Sequence, residues 1–293
     1  MALRVAYLGP AGTYTEEALH ASSSGAVEAE PRATVHETVM AVQYGEVDRA
    51  VVPIENSLEG GVAATLDALA GEADRVRIAG EVVHAIHHHL LAARAIPLEQ
   101  VERVLSHPQA TAQCARFLRE RLPTAERVAS PSTAEAVRTV RDAGEPWAAL
   151  GSRLSGELYD CVVLAERVED HPDNLTRFVW LARREEDEPA GDAPSKTSVV
   201  FWGFEDSSPG ALVSVLGELA QRGINLTKIE SRPRRVQLGH YMFFADLEGH
   251  VGDPHVSEAL EALSRRVETL RVLGSYPSAA EPSQPAGKAS GAR

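Results

Sequence analysis

The chain is short of positive charge. Its 293 residues include 29 Lys and Arg against 42 Asp and Glu, which gives a formal net charge of -13 at pH 7. Nucleic acids and anionic membrane surfaces are bound by basic faces, so this balance argues against both as partners. We therefore expect any anionic ligand to be held by groups gathered at one local site.

Cysteines and long apolar runs are also scarce. Cys114 and Cys161 lack CxxC spacing and lie in apolar segments, which favours reduced, buried thiols, with a single disulfide as the alternative. Residues 1–9 hold too short an apolar run for a signal peptide, and no segment approaches the ~20 apolar residues of a membrane helix. These absences predict a globular protein of the cytoplasm.

What the chain does contain is an alternation of apolar strands with amphipathic helices. Residues 4–8 form an apolar run followed by glycines and then by Thr13 and Glu16, the spacing of a capping box at a helix start. Free amides at such a turn suit an anion, so Gly12 and Thr13 are candidate binding residues. The turn lacks GxGxxG spacing and implies no nicotinamide cofactor.

Polar side chains follow two further predicted strands. They are Glu55, Asn56 and Ser57 after the strand at 50–54, and Ser106, His107 and Gln113 after the strand at 101–105. The carboxyl ends of strands are where open α/β sheets bind ligands. Another polar group opens a later strand, because Thr176 and Arg177 lie where a turn-rich segment becomes the apolar run that starts at Phe178.

The order of elements predicts two lobes and a smaller second domain. Alternating strands and helices favour a mostly parallel sheet, with a small-molecule site in the cleft between the lobes. After a charged linker, elements follow in the order βαββαβ of a ferredoxin-like sandwich. The predicted units are a first lobe at 1–78 with 168–183, a second lobe at 79–167, a linker at 184–196, the sandwich at 197–277 and a disordered tail at 278–293.

The run His87-His88-His89 lies in a segment predicted to be extended. Successive side chains of a strand point to opposite faces, so three consecutive imidazoles cannot all bind one metal ion. We expect no metal site and assign the run no function.

Taken in order, the strand-end motifs resemble those of monofunctional prephenate dehydratases with a C-terminal ACT regulatory domain, over the whole chain except the tail. The catalytic strings are Gly9-Pro10-Ala11-Gly12-Thr13, Val52-Pro53-Ile54-Glu55-Asn56-Ser57, Ser106-His107-Pro108-Gln109 with Gln113-Cys114, and Asn174-Leu175-Thr176-Arg177-Phe178. The regulatory strings are Gly210-Ala211-Leu212, Asn225-Leu226 and Glu230-Ser231-Arg232-Pro233.

This resemblance implies an α/β fold with two lobes like those of periplasmic binding proteins, followed by a ferredoxin-like ACT domain. It implies conversion of prephenate to phenylpyruvate, water and carbon dioxide on the route to phenylalanine, without metal or organic cofactor. Feedback inhibition by L-phenylalanine bound between ACT domains, in a homodimer or homotetramer, belongs to the same expectation.

The resemblance also implies roles for single residues. Thr176 is expected to donate a hydrogen bond to the departing hydroxyl and to relay a proton from a neighbouring residue or from water, with Glu55 or His107 as the candidate residues. Arg177 is expected to pair with the pyruvyl carboxylate, because the ring carboxylate loses its charge in the transition state and gains nothing from a tight cation.

The remaining expected roles are orientation, packing and binding. Asn56, Ser106 and Gln113 would orient the substrate as neutral donors, Phe178 would pack at the lobe interface, and Gly12, Thr13 and Ser57 would bind substrate. Effector binding is assigned to Gly210, Ala211, Leu212, Asn225, Glu230, Ser231, Arg232 and Pro233.

Two alternatives remain open. Arogenate dehydratase acts on a substrate that differs only by an amino group in place of the keto oxygen, and the sequence does not separate the two enzymes. A non-catalytic amino-acid sensor could use the same lobes and the same ACT domain. Thr176 beside Arg177 favours an enzyme, because binding alone needs no donor to a leaving group.

Overall fold

The computed structural model describes residues 2–185, 193–204 and 208–279. Most of the predicted linker and of the predicted tail lies outside these ranges. None of the helices within them combines the length and the apolar character that crossing a bilayer requires.

Strands and helices alternate along the described chain. The strands are β1 (Leu3–Leu8), β2 (Val27–Arg32), β3 (Arg49–Asn56), β4 (Gly60–Gly61), β5 (Val76–Ala85), β6 (His89–Ala92), β7 (Arg103–Ser106), β8 (Glu126–Ala129), β9 (Trp147–Gly151), β10 (Val162–Ala165), β11 (Leu175–Arg183), β12 (Ser195–Trp202), β13 (Leu226–Pro233), β14 (Tyr241–Glu248) and β15 (Thr269–Pro277). The helices are α1 (Tyr14–Ser22), α2 (Val35–Gln43), α3 (Ala63–Ala70), α4 (Pro108–Gln113), α5 (Ala115–Arg121), α6 (Thr133–Ala143), α7 (Arg153–Leu158), α8 (Ala211–Ala220) and α9 (Pro254–Ser264), with a 3-10 turn at Leu98–Gln100.

The first lobe is built on a sheet in the order β2-β1-β3-β11-β5, with β4 beside β3. Strand β1 runs parallel to β2 and β3, whereas β11 runs antiparallel to β3 and β5. Strands β2, β1, β3 and β5 therefore run in one direction, which agrees with the expectation of a mostly parallel sheet, and β11 is the exception among the long strands. The reason is that β11 returns from the second lobe and so runs against β5, the strand that leads out.

The second lobe has a mixed sheet in the order β10-β6-β9-β7-β8. The boundary predicted between residues 78 and 79 falls inside β5, because residues 80–85 pair with β11 in the first sheet. The second lobe therefore begins at residue 86, where the Ile86 amide donates to the Asn174 carbonyl at 2.8 Å. The two segments that cross between the lobes thus lie side by side.

The helix starts near the interlobe face are capped in different ways. Ser132 caps α6, with its Oγ accepting from the Glu135 amide at 3.0 Å. The capping box predicted at the start of α1 is absent, because Thr13 Oγ1 donates instead to the Leu8 carbonyl at 2.9 Å. The first amides of α1 therefore have no side-chain cap.

The third unit is an antiparallel sheet in the order β13-β14-β12-β15, the strand order of a ferredoxin-like sandwich. Helices α8 and α9 pack on one face through a core that includes Val215 and Leu260. The opposite face packs on the first lobe, where Leu273 and Tyr276 join a core that contains Ile78. The predicted fold class, two α/β lobes followed by an ACT-like sandwich, is confirmed.

Candidate active site

A cleft of about 380 Å³ separates the two lobes. It is lined by residues at the ends of β1, β3 and β7 and in the loops that follow them, and by residues at the start of β11. Of the residues predicted for the site, those that line the cleft are Thr13, Asn56, His107, Gln113, Thr176 and Phe178. Polar lining residues that were not assigned from the sequence are Tyr14, Thr15, His88, Gln109, Ser132, Thr133 and Asn174.

Thr176 and Asn56 face each other across β11 and β3. Asn56 Oδ1 accepts hydrogen bonds from the backbone amides of Leu58 at 3.0 Å and Glu59 at 3.1 Å. Its Nδ2 therefore points to the other side and donates to Thr176 Oγ1 at 2.9 Å. Because Thr176 accepts this bond, its own hydroxyl hydrogen remains available to a group in the cleft.

The amide of Asn56 begins a chain of hydrogen bonds along the cleft wall. Its Nδ2 also lies 2.7 Å from Asn174 Oδ1, and Asn174 Nδ2 lies 3.1 Å from Gln113 Oε1. Gln113 Oε1 is 3.0 Å from His88 Nε2, and His88 Nδ1 is 2.8 Å from the Tyr14 hydroxyl. This hydrogen-bond chain connects both lobes, because Asn56 belongs to the first lobe and Gln113 and His88 belong to the second.

His107 lies at the start of α4, where its ring has a structural contact. Its Nδ1 accepts from the Gln109 amide at 3.3 Å. A nitrogen accepts only where it carries no proton, so this contact leaves Nε2 as the ring nitrogen from which His107 can donate a hydrogen bond.

Among the described residues that line the cleft there is no Lys, Arg, Asp or Glu. Any side-chain charge in this lining would therefore be that of a protonated histidine. The positive ends of α1 and α6 reach the cleft through Thr13, Tyr14, Ser132 and Thr133. Helix N-termini attract anions, so the cleft offers carboxylate binding without a cationic side chain.

Arg177 lies on the opposite face of the sheet. Side chains alternate along a strand, and Thr176 and Phe178 both line the cleft, so Arg177 points to the back. There it lies 2.7 Å from Asp246 of the third unit, 3.0 Å from Glu81 and 2.9 Å from Glu55. The expectation that Arg177 binds a substrate carboxylate is contradicted by this placement.

The contacts of Arg177 form a mostly buried ion cluster. Burial opposes the charged form of the guanidinium, but the carboxylates around it, Asp246 foremost, outweigh that effect and raise the pKa of Arg177 above its ordinary value. Lys196 completes the cluster with Nζ 2.8 Å from Glu81. Arg177 therefore joins the first lobe to the third unit at the back of the strand that presents Thr176.

Comparison with known proteins gives the same reading as the motifs. The family model for prephenate dehydratase matches residues 5–186, and that for the ACT domain matches residues 205–265. The chain belongs to the prephenate dehydratase family. A prephenate dehydratase of Mycolicibacterium gilvum is 42% identical over 93% of this chain and 90% of its own length.

Solved structures of the same fold extend the comparison. A prephenate dehydratase from Arthrobacter aurescens in complex with L-Phe superposes with a TM-score of 0.86, at 39% identity, over 94% of this chain and 90% of that one. A protein described as a quorum-quenching acylase superposes with a TM-score of 0.83, at 32% identity, over 94% of this chain and 98% of that one. Since this fold is also found under another activity, the reaction has to be argued from the cleft.

Four further family-string residues lie outside the cleft lining. Ser106 is fully buried and donates to the Leu150 carbonyl at 3.1 Å, and Ser57 Oγ accepts from the Leu175 amide at 3.0 Å. The Gly12 carbonyl accepts from Ser152 across the lobes at 3.0 Å. Glu55, like Arg177, lies on the back face. Each of these residues, Ser106, Ser57, Gly12 and Glu55, has a backbone or ion-pair partner away from the lining, and their contact with substrate stays a prediction.

The predicted effector residues fall into two groups in this family's ACT domain. Gly210 adopts a left-handed φ of 86° at the start of α8, which Ala211 and Leu212 continue. Asn225 lies before β13 and donates to Glu248 at 3.0 Å.

The second group lies along β13, whose side chains alternate between two sides. Arg232 pairs with Asp67 of the first lobe at 2.7 Å, and Glu230 lies 3.2 Å from Lys228. Ser231 and Pro233 are exposed. In a single chain, Arg232 is thus an interdomain contact, whereas Glu230 is paired with a residue of its own strand.

His88 and Asn174 are the functional candidates that sequence reasoning missed. Asn174 belongs to a family motif, but the motif assigns it no role, and the histidine run that contains His88 has no assigned function. The three histidines do diverge, with His87 on Glu169 at 2.9 Å and His88 on Gln113. Their alternation in an extended segment follows from the sequence, but the partner of each imidazole does not.

Proposed function

We propose that the cleft carries out the reaction of its family, the decarboxylating dehydration of prephenate to phenylpyruvate. One observation carries the proposal. Asn56 donates to the Thr176 hydroxyl, which lines the cleft and so can donate its own hydrogen to a substrate there. A fixed hydroxyl donor is what a departing hydroxide needs, because the poor leaving group is the barrier to aromatisation.

The rest of the cleft suits the loss of carbon dioxide. The ring carboxylate gives up its charge in the transition state, so a tight cation beside it would stabilise the substrate more than the transition state. The described lining has no Lys or Arg, in line with this requirement. The pyruvyl carboxylate keeps its charge, and we assign it to the N-termini of α1 and α6 in place of Arg177.

The proton that neutralises the departing hydroxide comes, in this proposal, from water. Glu55 is held by Arg177 on the far face. His107 accepts at Nδ1 from the Gln109 amide, which leaves it a hydrogen-bond donor through Nε2. The cleft thus acts by hydrogen bonding and orientation more than by a strong general acid.

A substitution at His107 tests this division of labour. Asn is a good N-cap, so His107→Asn keeps an acceptor for the Gln109 amide and an N–H donor while removing the titratable ring. We expect kcat to fall by less than about tenfold with an unchanged pH profile, since loss of a general acid costs roughly 10²–10⁴-fold. A larger fall, with loss of one limb of the kcat–pH profile, would assign the proton to His107.

Regulation is proposed from the ACT domain. The Arthrobacter aurescens relative was solved with L-Phe, and we propose that L-phenylalanine inhibits this chain through Gly210, Ala211, Leu212 and Asn225.

Strand β13 is an edge of its sheet, and Ile229 on it is 48% exposed. An open edge beside an exposed apolar side chain favours pairing with a second copy, in a homodimer or a homotetramer. We place the enzyme in the cytoplasm.

The test is phenylpyruvate formation from prephenate by purified protein, with and without L-phenylalanine and with arogenate in parallel. We expect turnover of prephenate that L-phenylalanine suppresses. Preference for arogenate would move the proposal to arogenate dehydratase. Ligand binding without turnover of either substrate would contradict an enzymatic role and favour an amino-acid sensor.

A further inference from the structure

The hydrogen-bond chain on the cleft wall has a fixed direction that starts at the backbone. The amides of Leu58 and Glu59 can only donate, so the Asn56 atom that meets them is Oδ1. Asn56 Nδ2, which can only donate, then faces Asn174. The Asn174 atom at 2.7 Å from it must be the acceptor Oδ1.

The same reasoning carries the direction into the second lobe. With Oδ1 turned to Asn56, Asn174 presents Nδ2 to Gln113, so the Gln113 atom at 3.1 Å must be the acceptor Oε1. Gln113 Oε1 also lies 3.0 Å from His88 Nε2. Two acceptors at that distance would repel, so His88 Nε2 must carry a hydrogen and donate it.

From this geometry we infer that His88 is a positioning residue, whose Nε2–H holds the Gln113 amide with its carbonyl turned to the wall and its NH₂ turned toward the open cleft. The inference rests on the proposed function and adds a residue to it. One Gln113 hydrogen lies toward Glu59 Oε1 at 3.5 Å, longer than a strong hydrogen bond. Gln113 Nε2 and the Thr176 hydroxyl thus both offer donors to an anionic substrate.

The surroundings of His88 fix the ring in this role. The side chain is 2% exposed, and its backbone amide donates to Glu169 at 2.9 Å. Burial lowers the pKa of His88, against the opposing effect of the Gln113 hydrogen bond, so the ring is neutral near pH 7 and has a single N–H. With that hydrogen on Nε2, Nδ1 accepts from the Tyr14 hydroxyl at 2.8 Å, so the single hydrogen of this hydroxyl is shared between the ring and the His87 carbonyl at 2.9 Å. The protonated ring would also donate from Nε2, so the direction of the chain does not depend on charge.

The first test measures the tautomer directly and needs no turnover. Long-range ¹H–¹⁵N spectra of ligand-free protein labelled with ¹⁵N-histidine distinguish a protonated Nε2 from a protonated Nδ1 in the neutral ring. The His88 signals among the 11 histidines are identified by their loss in His88→Gln. We expect a protonated Nε2 near neutral pH. A neutral ring protonated at Nδ1 would overturn the inference whatever the enzyme's activity.

The second test compares two variants at the same position. His88→Phe keeps a ring but removes the donor, whereas the amide of Gln places an N–H near the position of His Nε2. We expect His88→Phe to lower kcat roughly 10- to 100-fold, with a smaller change in KM, and His88→Gln to recover most of the loss. His20→Phe is the control, because this histidine is half exposed on α1 and lies outside the cleft.

The outcomes separate His88 from the proposed function. Equal losses in His88→Phe and His88→Gln, or full activity in His88→Phe, would contradict the positioning role. Wild-type protein that fails to turn over prephenate but shows a protonated His88 Nε2 would contradict the proposed function and leave the hydrogen-bond direction standing.

Discussion

Thr176→Val lowers kcat by about 10²–10³-fold, because removing one preorganised donor to a developing oxyanion costs that much in other enzymes. Valine has nearly the shape of threonine, so the strand and the cleft wall remain in place. Thr176→Ser retains the hydroxyl and keeps most of the activity. The measurement is steady-state phenylpyruvate formation, with a thermal melt to show that both variants fold.

A matched variant outside the cleft separates loss of this hydroxyl from loss of any hydroxyl. Thr227 is an exposed strand residue whose Oγ1 contacts the Asp246 carbonyl at 3.4 Å. Thr227→Val leaves kcat unchanged. If Thr176→Val and Thr176→Ser lost activity equally, the hydroxyl of residue 176 would have no part in the reaction.

Arg177→Met has its largest effect on stability. The substitution leaves the Asp246 carboxylate buried without its cation and Glu81 with Lys196 alone, and breaking a buried ion pair on one side costs about 3–5 kcal/mol. For a chain of this size that corresponds to a fall in Tm of about 10 °C. Differential scanning calorimetry of the purified variant measures it.

The control for Arg177 is an exposed ion pair of the same chemistry. Arg75 and Glu185 are paired at 2.8 Å with side chains 56% and 58% exposed. Arg75→Met should change stability by about 1 kcal/mol or less. If Arg177→Met melted like the wild type and instead raised KM for prephenate, Arg177 would be a substrate ligand after all.

Strand alternation explains where the sequence-based assignment of the site succeeds and where it fails. Thr176 and Arg177 are neighbours in a family string, which suggested a shared site. In a strand with two buried faces, neighbours serve different sides, so one meets the cleft and the other meets Asp246. The alternation was readable from the sequence, but the partner behind the sheet was not, because it lies 69 residues farther along the chain.

The roles of Ser106 and His88 depend on contacts with residues that are distant in the sequence. Ser106 ends a buried strand, and its hydroxyl takes the carbonyl of Leu150 on the neighbouring strand as its acceptor. The role of His88 depends on Gln113 and Asn174, which are distant in sequence and meet only when the lobes come together. The local sequence pattern around a residue does not reveal contacts of this kind.

How well the sequence predicts a strand also depends on how much of that strand is buried. The apolar run at 50–54 predicts a buried strand, which the structure has as β3. No apolar run predicts β2 and β8, which lie at sheet edges and carry charged residues. An edge strand needs little apolar surface, so its sequence gives a weak signal.

The most direct test of the central claim is a crystal structure of the Thr176→Val variant with prephenate bound. We predict the ring hydroxyl against residue 176, within reach of Asn56, and the pyruvyl carboxylate at the N-termini of α1 and α6. Prephenate bound with its hydroxyl remote from residue 176, or with a carboxylate drawn to Arg177, would contradict the account.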